Sequence, residues 1–276
     1  MVLNGINTAN IMPKSAVTST FSHILPKNIL PFRGVNDVRQ EQINEVNKKD
    51  SFTKTTPTFN FEECYNKYYN AEKINSVIND RIKEICESNE ATPYVEEDII
   101  KHFDKHHIQT TYEYAKTIGK QLKLNDQEMY KLEVAATLHD IGKSLIPDEI
   151  LNKPFGLNPR EREIINTHSE LGYEILKGLG ANEESLDVAL NHHRDNAGGK
   201  LCDIVKIADR YSALTSVRPY KGAFTQDESF EILNKEVKDG RLNGEFLQAF
   251  KDAIGYVDPK EDDEKIEKKK KPTSVE

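Results

Sequence analysis

The sequence predicts an all-α fold. Three observations carry that prediction. Apolar residues recur at steps of three and four, helix-start signals precede them, and alternating strand patterns are absent. Tyr65, Tyr68, Tyr69, Ile74, Val77, Ile78, Ile82 and Ile85 keep the helical step and predict one amphipathic lead-in helix within 59–92. It is read as packing on the domain that follows, with a homodimer seam as the alternative. Thr92 and Pro93 predict the next helix start, because proline at the first helical position gives up an N–H that has no partner there anyway. Asn125 with Glu128 predicts a capping box before the apolar run Leu132–Leu138. Asn158, Pro159 and Glu161 repeat the signal, and so do Thr225 and Glu228. The helical domain is expected over 93–256. Residues 1–58 are rich in Asn, Thr, Ser and Lys, carry Pro13, Pro26, Pro31 and Pro57, and sustain no period, which predicts a mostly disordered segment. A charged, disordered tail is expected over 257–276, with Lys268–Lys271 near its end.

Composition narrows the class. Of 276 residues, 37% are hydrophobic and 30% charged, enough apolar material for one sizeable core with solvated ends. The net charge of -8 weighs against broad binding to a phosphate backbone, so no stable nucleic-acid complex is expected. No apolar run is long enough to cross a membrane. Residues 1–30 contain no continuous apolar stretch of signal-peptide type, so a cytoplasmic location is expected. Cys64, Cys86 and Cys202 are odd in number and form no C-x-x-C pair. They argue against a disulfide framework or a thiolate zinc site and read as small buried hydrophobes.

The chemistry lies in the histidines. His102, His106 and His107 cluster near one predicted helix. His139-Asp140 ends an apolar run, His168 opens His-Ser-Glu-Leu-Gly, His192-His193 form a doublet, and Asp209 follows Ile204–Ala208. Neighbouring residues on a helix diverge by about 100°, so a doublet suits two metals side by side better than one. Imidazoles with carboxylates and no thiolate suit Mn, Fe or Zn.

The string Leu138-His-Asp-Ile-Gly-Lys-Ser-Leu-Ile-Pro-Asp-Glu-Ile-Leu-Asn-Lys-Pro154 resembles the signature of the HD-GYP branch of the HD superfamily of metal-dependent phosphohydrolases. His168–Gly172, the doublet His192-His193 and Ala208-Asp-Arg-Tyr-Ser-Ala-Leu-Thr-Ser-Val-Arg-Pro-Tyr220 resemble further family segments, so the resemblance covers about 99–256. It implies a helical HD-domain bundle around two divalent transition metal ions, Fe or Mn foremost and Zn as the alternative. It implies His107, His139, Asp140 and Asp209 around one metal, with His106 as the alternative to His107. It implies His168, His192 and His193 around the other, with Asp140 bridging the two. A water between the metals would attack phosphorus. Lys143 would hold the scissile phosphate as a point charge, and Arg194 and Arg218 would contact substrate. The implied reaction is hydrolysis of a cyclic dinucleotide, cyclic di-GMP foremost.

The chain also departs from the branch. Arg194 stands where the family has Glu after the doublet, and the Gly-Tyr-Pro element is replaced by the short run Asp195–Lys200. Ser212 stands where the family has Asp, which implies weaker orientation of the ligands behind the site. Phe103 stands near a position where some relatives place an acid for a third metal. Two alternatives follow. One is an HD-type nucleotide or dinucleotide polyphosphate phosphohydrolase, marked by Arg194, Lys200 and Arg218 lining one side of the pocket. The other is a catalytically weak signalling or binding module.

Overall fold

The structure is a computed structural model that describes residues 11–12, 58–86, 92–93, 104–216 and 222–259. Most of the segment expected to be disordered, and the tail from 260 onward, lie outside the described residues. The fold is all-α. Helices run as α1 Phe61–Tyr68, α2 Ala71–Cys86, α3 Lys105–Gln121, α4 Asp126–Leu138, α5 Asp148–Leu151, α6 Pro159–Asn166, α7 His168–Gly178, α8 Glu183–Asn191, α9 Lys200–Thr215, α10 Gln226–Lys238 and α11 Gly244–Ala253. A 3₁₀ turn spans Ile141–Leu145. Extended pairing among the described residues is confined to two-residue parallel strands, β1 Ile11–Met12 and β2 Thr92–Pro93. Thr92 and Pro93 thus pair with another segment, and the residues that would continue the expected helix lie outside the described residues.

The three expected capping boxes form. Asn125, Asn158 and Thr225 accept from the backbone N–H of Glu128, Glu161 and Glu228, and each Glu side chain accepts in return from the cap backbone N–H. The lead-in is two helices, not one. Tyr69 leaves helical geometry, and the Asn70 side chain accepts from the Lys73 N–H at 3.0 Å, capping α2 afresh. The apolar step passes through this break because Tyr65, Tyr69 and Ile74 are all buried. Tyr65 and Tyr69 stack with ring centroids 4.3 Å apart, and the Tyr69 hydroxyl donates to the Thr137 carbonyl at 3.1 Å. These contacts pack the lead-in on α4, while α2 packs on α7.

The core lies where α3 packs on α4 and α9, and where α7 packs on α8 and the 3₁₀ turn. A second aromatic cluster of Tyr114, Tyr211, Phe230 and Phe250 ties α10 and α11 to this core. The 3₁₀ turn meets α7 at Gly142. A Cβ there would lie 2.0 Å from the His168 carbonyl oxygen and 2.5 Å from the Gly172 nitrogen. Only glycine lets the backbone after His139-Asp140 close on the helix that carries His168.

Candidate metal centre

Six elements each bring a polar group to one buried point. His107 lies in the first turn of α3, where the Asp104 side chain accepts from its backbone N–H at 2.9 Å. His139 is the C-cap of α4, and Asp140 opens the 3₁₀ turn. His168 starts α7, and His192 caps the C-terminus of α8. Asp209 projects from α9. His107, His139, Asp140, His168, His192 and Asp209 are all buried, and His193 sits at the exposed edge. His106, one residue before His107, is exposed on the same helix. His102, Phe103 and Arg218 lie outside the described residues.

Asp140 faces two ways. Its Oδ2 is 3.3 Å from His139 Nε2 and 3.8 Å from His107 Nε2. Its Oδ1 is 3.4 Å from His168 Nε2 and 3.7 Å from His192 Nε2. Asp209 Oδ1 joins the first side at 3.0 Å from His107 Nε2 and 3.7 Å from His139 Nε2. The ligand atoms of Asp140, His168, His192 and His193 lie within 4.8 Å of one another, as do those of His107, His139 and Asp140.

Most rings are aimed from behind. His139 Nδ1 donates to the Ala136 carbonyl at 2.8 Å, His168 Nδ1 to Ile165 at 2.6 Å, and His192 Nδ1 to Val188 at 2.9 Å. A carbonyl only accepts, so Nδ1 carries a proton in each ring and Nε2 is the atom turned inward, its lone pair available whenever the ring is neutral. His107 Nδ1 lies 2.8 Å from Ser212 Oγ instead. Ser212, expected to orient ligands poorly, is buried in contact with one of them.

These residues fit a cation. His139 Nε2 and Asp140 Oδ1 are buried without a hydrogen-bond partner among the described residues. An unsatisfied buried polar atom costs about 1–3 kcal/mol. His168 Nε2 and His192 Nε2 face each other at 3.3 Å, and two inward lone pairs repel unless a positive charge lies between them. Burial holds the His168 imidazole well below its ordinary range, which keeps it neutral and able to ligate. Burial alone would raise the Asp140 carboxyl, but the Lys143 ammonium and the His139 imidazole hold it well below the carboxylate range. Asp209 is held low in the same way, by His107 and His139 against burial. At His139, burial acts downward, yet the two carboxylates overcome it and raise the ring to about 10. The same negative field that draws a proton there favours a divalent ion. The thiols stand apart: Cys64 and Cys202 are buried, free and pushed up to about 12 by burial.

The basic residues are engaged in pairs. Lys143 Nζ lies 2.5 Å from Asp140 Oδ2 and is partly exposed. Arg194 pairs with Glu170 at 2.6 Å, and Lys200 with Glu128 at 3.3 Å. The basic wall expected of Arg194 and Lys200 is therefore divided between α7 and the start of α4.

A bundle with a buried His/Asp centre of this order along the chain defines a class. Residues 81–214 match the family model of the HD domain. Among curated relatives, a cyclic di-GMP phosphodiesterase response regulator of Xanthomonas campestris pv. campestris is 36% identical over 130 residues, 42% of this chain and 34% of that protein. A 3'3'-cGAMP-specific phosphodiesterase of Vibrio cholerae is 34% identical over 155 residues, 52% of this chain and 36% of that protein. The chain thus spans about a third of the length of these relatives. A solved HDG"Y"P protein from Bdellovibrio bacteriovorus superposes with a TM-score of 0.47 at 15% identity, covering 80% of this chain and 81% of that one.

Proposed function

We propose that the chain is a metal-dependent phosphodiesterase whose substrate is a cyclic dinucleotide, cyclic di-GMP foremost. The observation that carries this reading is Asp140, whose two oxygens face separate groups of imidazoles. His107, His139, Asp140 and Asp209 would hold one divalent ion. Asp140, His168, His192 and His193 would hold the other. Fe or Mn suits this nitrogen and oxygen set, with Zn as the alternative. When bound, such a pair supplies an activated water and charge for the phosphoryl oxygens. The chain's own residues do the rest. Carbonyl-locked imidazoles keep the ligand atoms aimed inward, and Lys143 offers a compact positive charge to a phosphate at the rim. Arg194, tethered by Glu170, and Arg218 are the proposed guanidinium contacts to substrate. The names of the curated relatives support the substrate class.

A second reading, hydrolysis of a linear nucleotide or dinucleotide polyphosphate, is favoured by the short turn between His193 and α9. Product analysis separates the readings. Protein purified without oxygen and loaded with Mn or Fe is offered cyclic di-GMP, other cyclic dinucleotides, diadenosine polyphosphates and nucleoside phosphates, with Asp140→Asn as the blank. Linear pGpG or GMP is expected from cyclic di-GMP. Turnover of linear nucleotides alone selects the second reading. No turnover by a protein carrying two ions makes the chain a binding module.

A further inference from the structure

We infer that Lys206 is a positioning residue for His193, acting through the turn that joins α8 to α9; this rests on the two-cation reading above. Lys206 is 1% exposed on α9, among the largest fully buried side chains. Burying an ammonium is expensive unless its donors are satisfied. Its Nζ donates to the Ala197 carbonyl at 2.5 Å and lies 3.3 Å from Asp203 Oδ1. Ala197 sits in the turn whose first residues are His192 and His193. The buried charge therefore holds down the segment that carries the exposed ligand.

The rest of that turn is fastened as well. The Gly199 N–H donates to Asp187 Oδ2 at 2.7 Å, and Asp187 Oδ1 accepts from Asn191 Nδ2 at 2.8 Å. Gly198 has φ +88°, and a Cβ there would lie 2.5 Å from Cys202 Sγ, so the turn closes directly on α9. His193 needs this support. His139, His168 and His192 lean on carbonyls, but the His193 ring makes no hydrogen bond among the described residues. Its ring packs on two other imidazoles, with centroids 4.0 Å from His192 and 5.0 Å from His168. The aim of His193 is thus inherited from the backbone that Lys206 pins.

The test is Mn²⁺ binding to the full chain, by calorimetry for number and affinity and by electron paramagnetic resonance for coupling between ions. Wild type is expected to bind two ions with a coupled spectrum. Lys206→Met keeps most of the stem volume and removes the charge. It should retain the ion held by His107 and His139, weaken the other about 10–100-fold, and leave a single-ion spectrum. Gly198→Ala strains the same turn without touching a buried charge and should give the same selective loss. It decides the matter if Lys206→Met does not fold. Two ions bound with unchanged affinities in the folded variants overturns the inference, and so does equal weakening of both ions, which marks Lys206 as merely structural. Fewer than two ions in wild type overturns the two-cation reading itself, and this inference with it.

Discussion

The imidazoles of His107, His139, His168 and His192 depend on the atom behind them, and Ser212 is the case with most consequence. Its hydroxyl is the partner of His107 Nδ1, where the other anchored rings use backbone carbonyls. Ser212→Ala should leave that nitrogen without a partner and weaken the ion held by His107 and His139 about 10–100-fold. Ser212→Thr, which keeps the hydroxyl, should bind as wild type. A Mn²⁺ titration in which alanine and threonine variants both match wild type would remove Ser212 from the site. Asp140→Asn replaces one of two opposed carboxylate oxygens with an amide NH2, a donor that cannot ligate a cation. It should lose bound metal and all hydrolysis, and full metal content with full rate would refute the bridging role. The pattern of residues named the candidate ligands but could not choose between His106 and His107 by spacing. The packing of α3 favours His107, burying it against Asp209 and leaving His106 exposed. Nor could it show that Ser212 serves His107, because that contact joins residues 105 apart in the chain.

At the scale of elements, local signals were legible and breaks between them less so. The capping boxes form because a short polar side chain, an acid three residues on and the intervening backbone suffice to build them. The break between α1 and α2 was hidden because buried Tyr69 continues the apolar step while its backbone turns away. The 3₁₀ turn supplies a steric prediction. Gly142→Ala sets a methyl against the backbone of His168 and Gly172, neither of which can swing aside as a side chain could. It should cost about 1–3 kcal/mol in chemical denaturation and weaken the ion held by His168. Normal stability with normal Mn²⁺ binding would mean the turn has room. The capping acids supply a pH prediction. Glu128 and Glu228 are held below their ordinary 4.5 first by the cap backbone N–H, and Glu161 first by Lys153 and then by the Asn158 N–H. A carboxyl that is lower in the folded than in the unfolded chain stabilises fully above the unfolded value and loses that contribution as pH falls through the folded one. Melting temperature should therefore fall as pH drops below 4.5. Replacing all three with Gln should flatten that fall, and parallel acid limbs for the two proteins would rule the effect out.

For the whole molecule, the helical class was legible from periodicity, whereas the meeting of six elements at one point was not. His107 and Asp209 are 102 residues apart, and no local rule brings them to 3.0 Å. Packing does so: α3 lies between α4 and α9, and Gly142 lets the 3₁₀ turn close on α7. The separation has a thermodynamic consequence. Unfolding scatters the ligands over more than half the described chain, so a cation that binds this cluster binds the folded state almost alone. Its binding free energy then adds to stability by mass action, about 2.7 kcal/mol per site at a hundred times the dissociation constant. For a domain of this size that is a rise of roughly 5–10 °C in melting temperature. Mn²⁺ should produce this rise in wild type, and a chelator should reverse it. Asp140→Asn should show little of it, because the group shared by both sites is gone. The comparison needs no substrate. It separates a centre built for cations from a buried polar cluster that only joins helices: in the second case the melting temperature of wild type would ignore both Mn²⁺ and chelator, and relief of the unpaired oxygen at Asp140 would leave the variant as stable as the parent or more so.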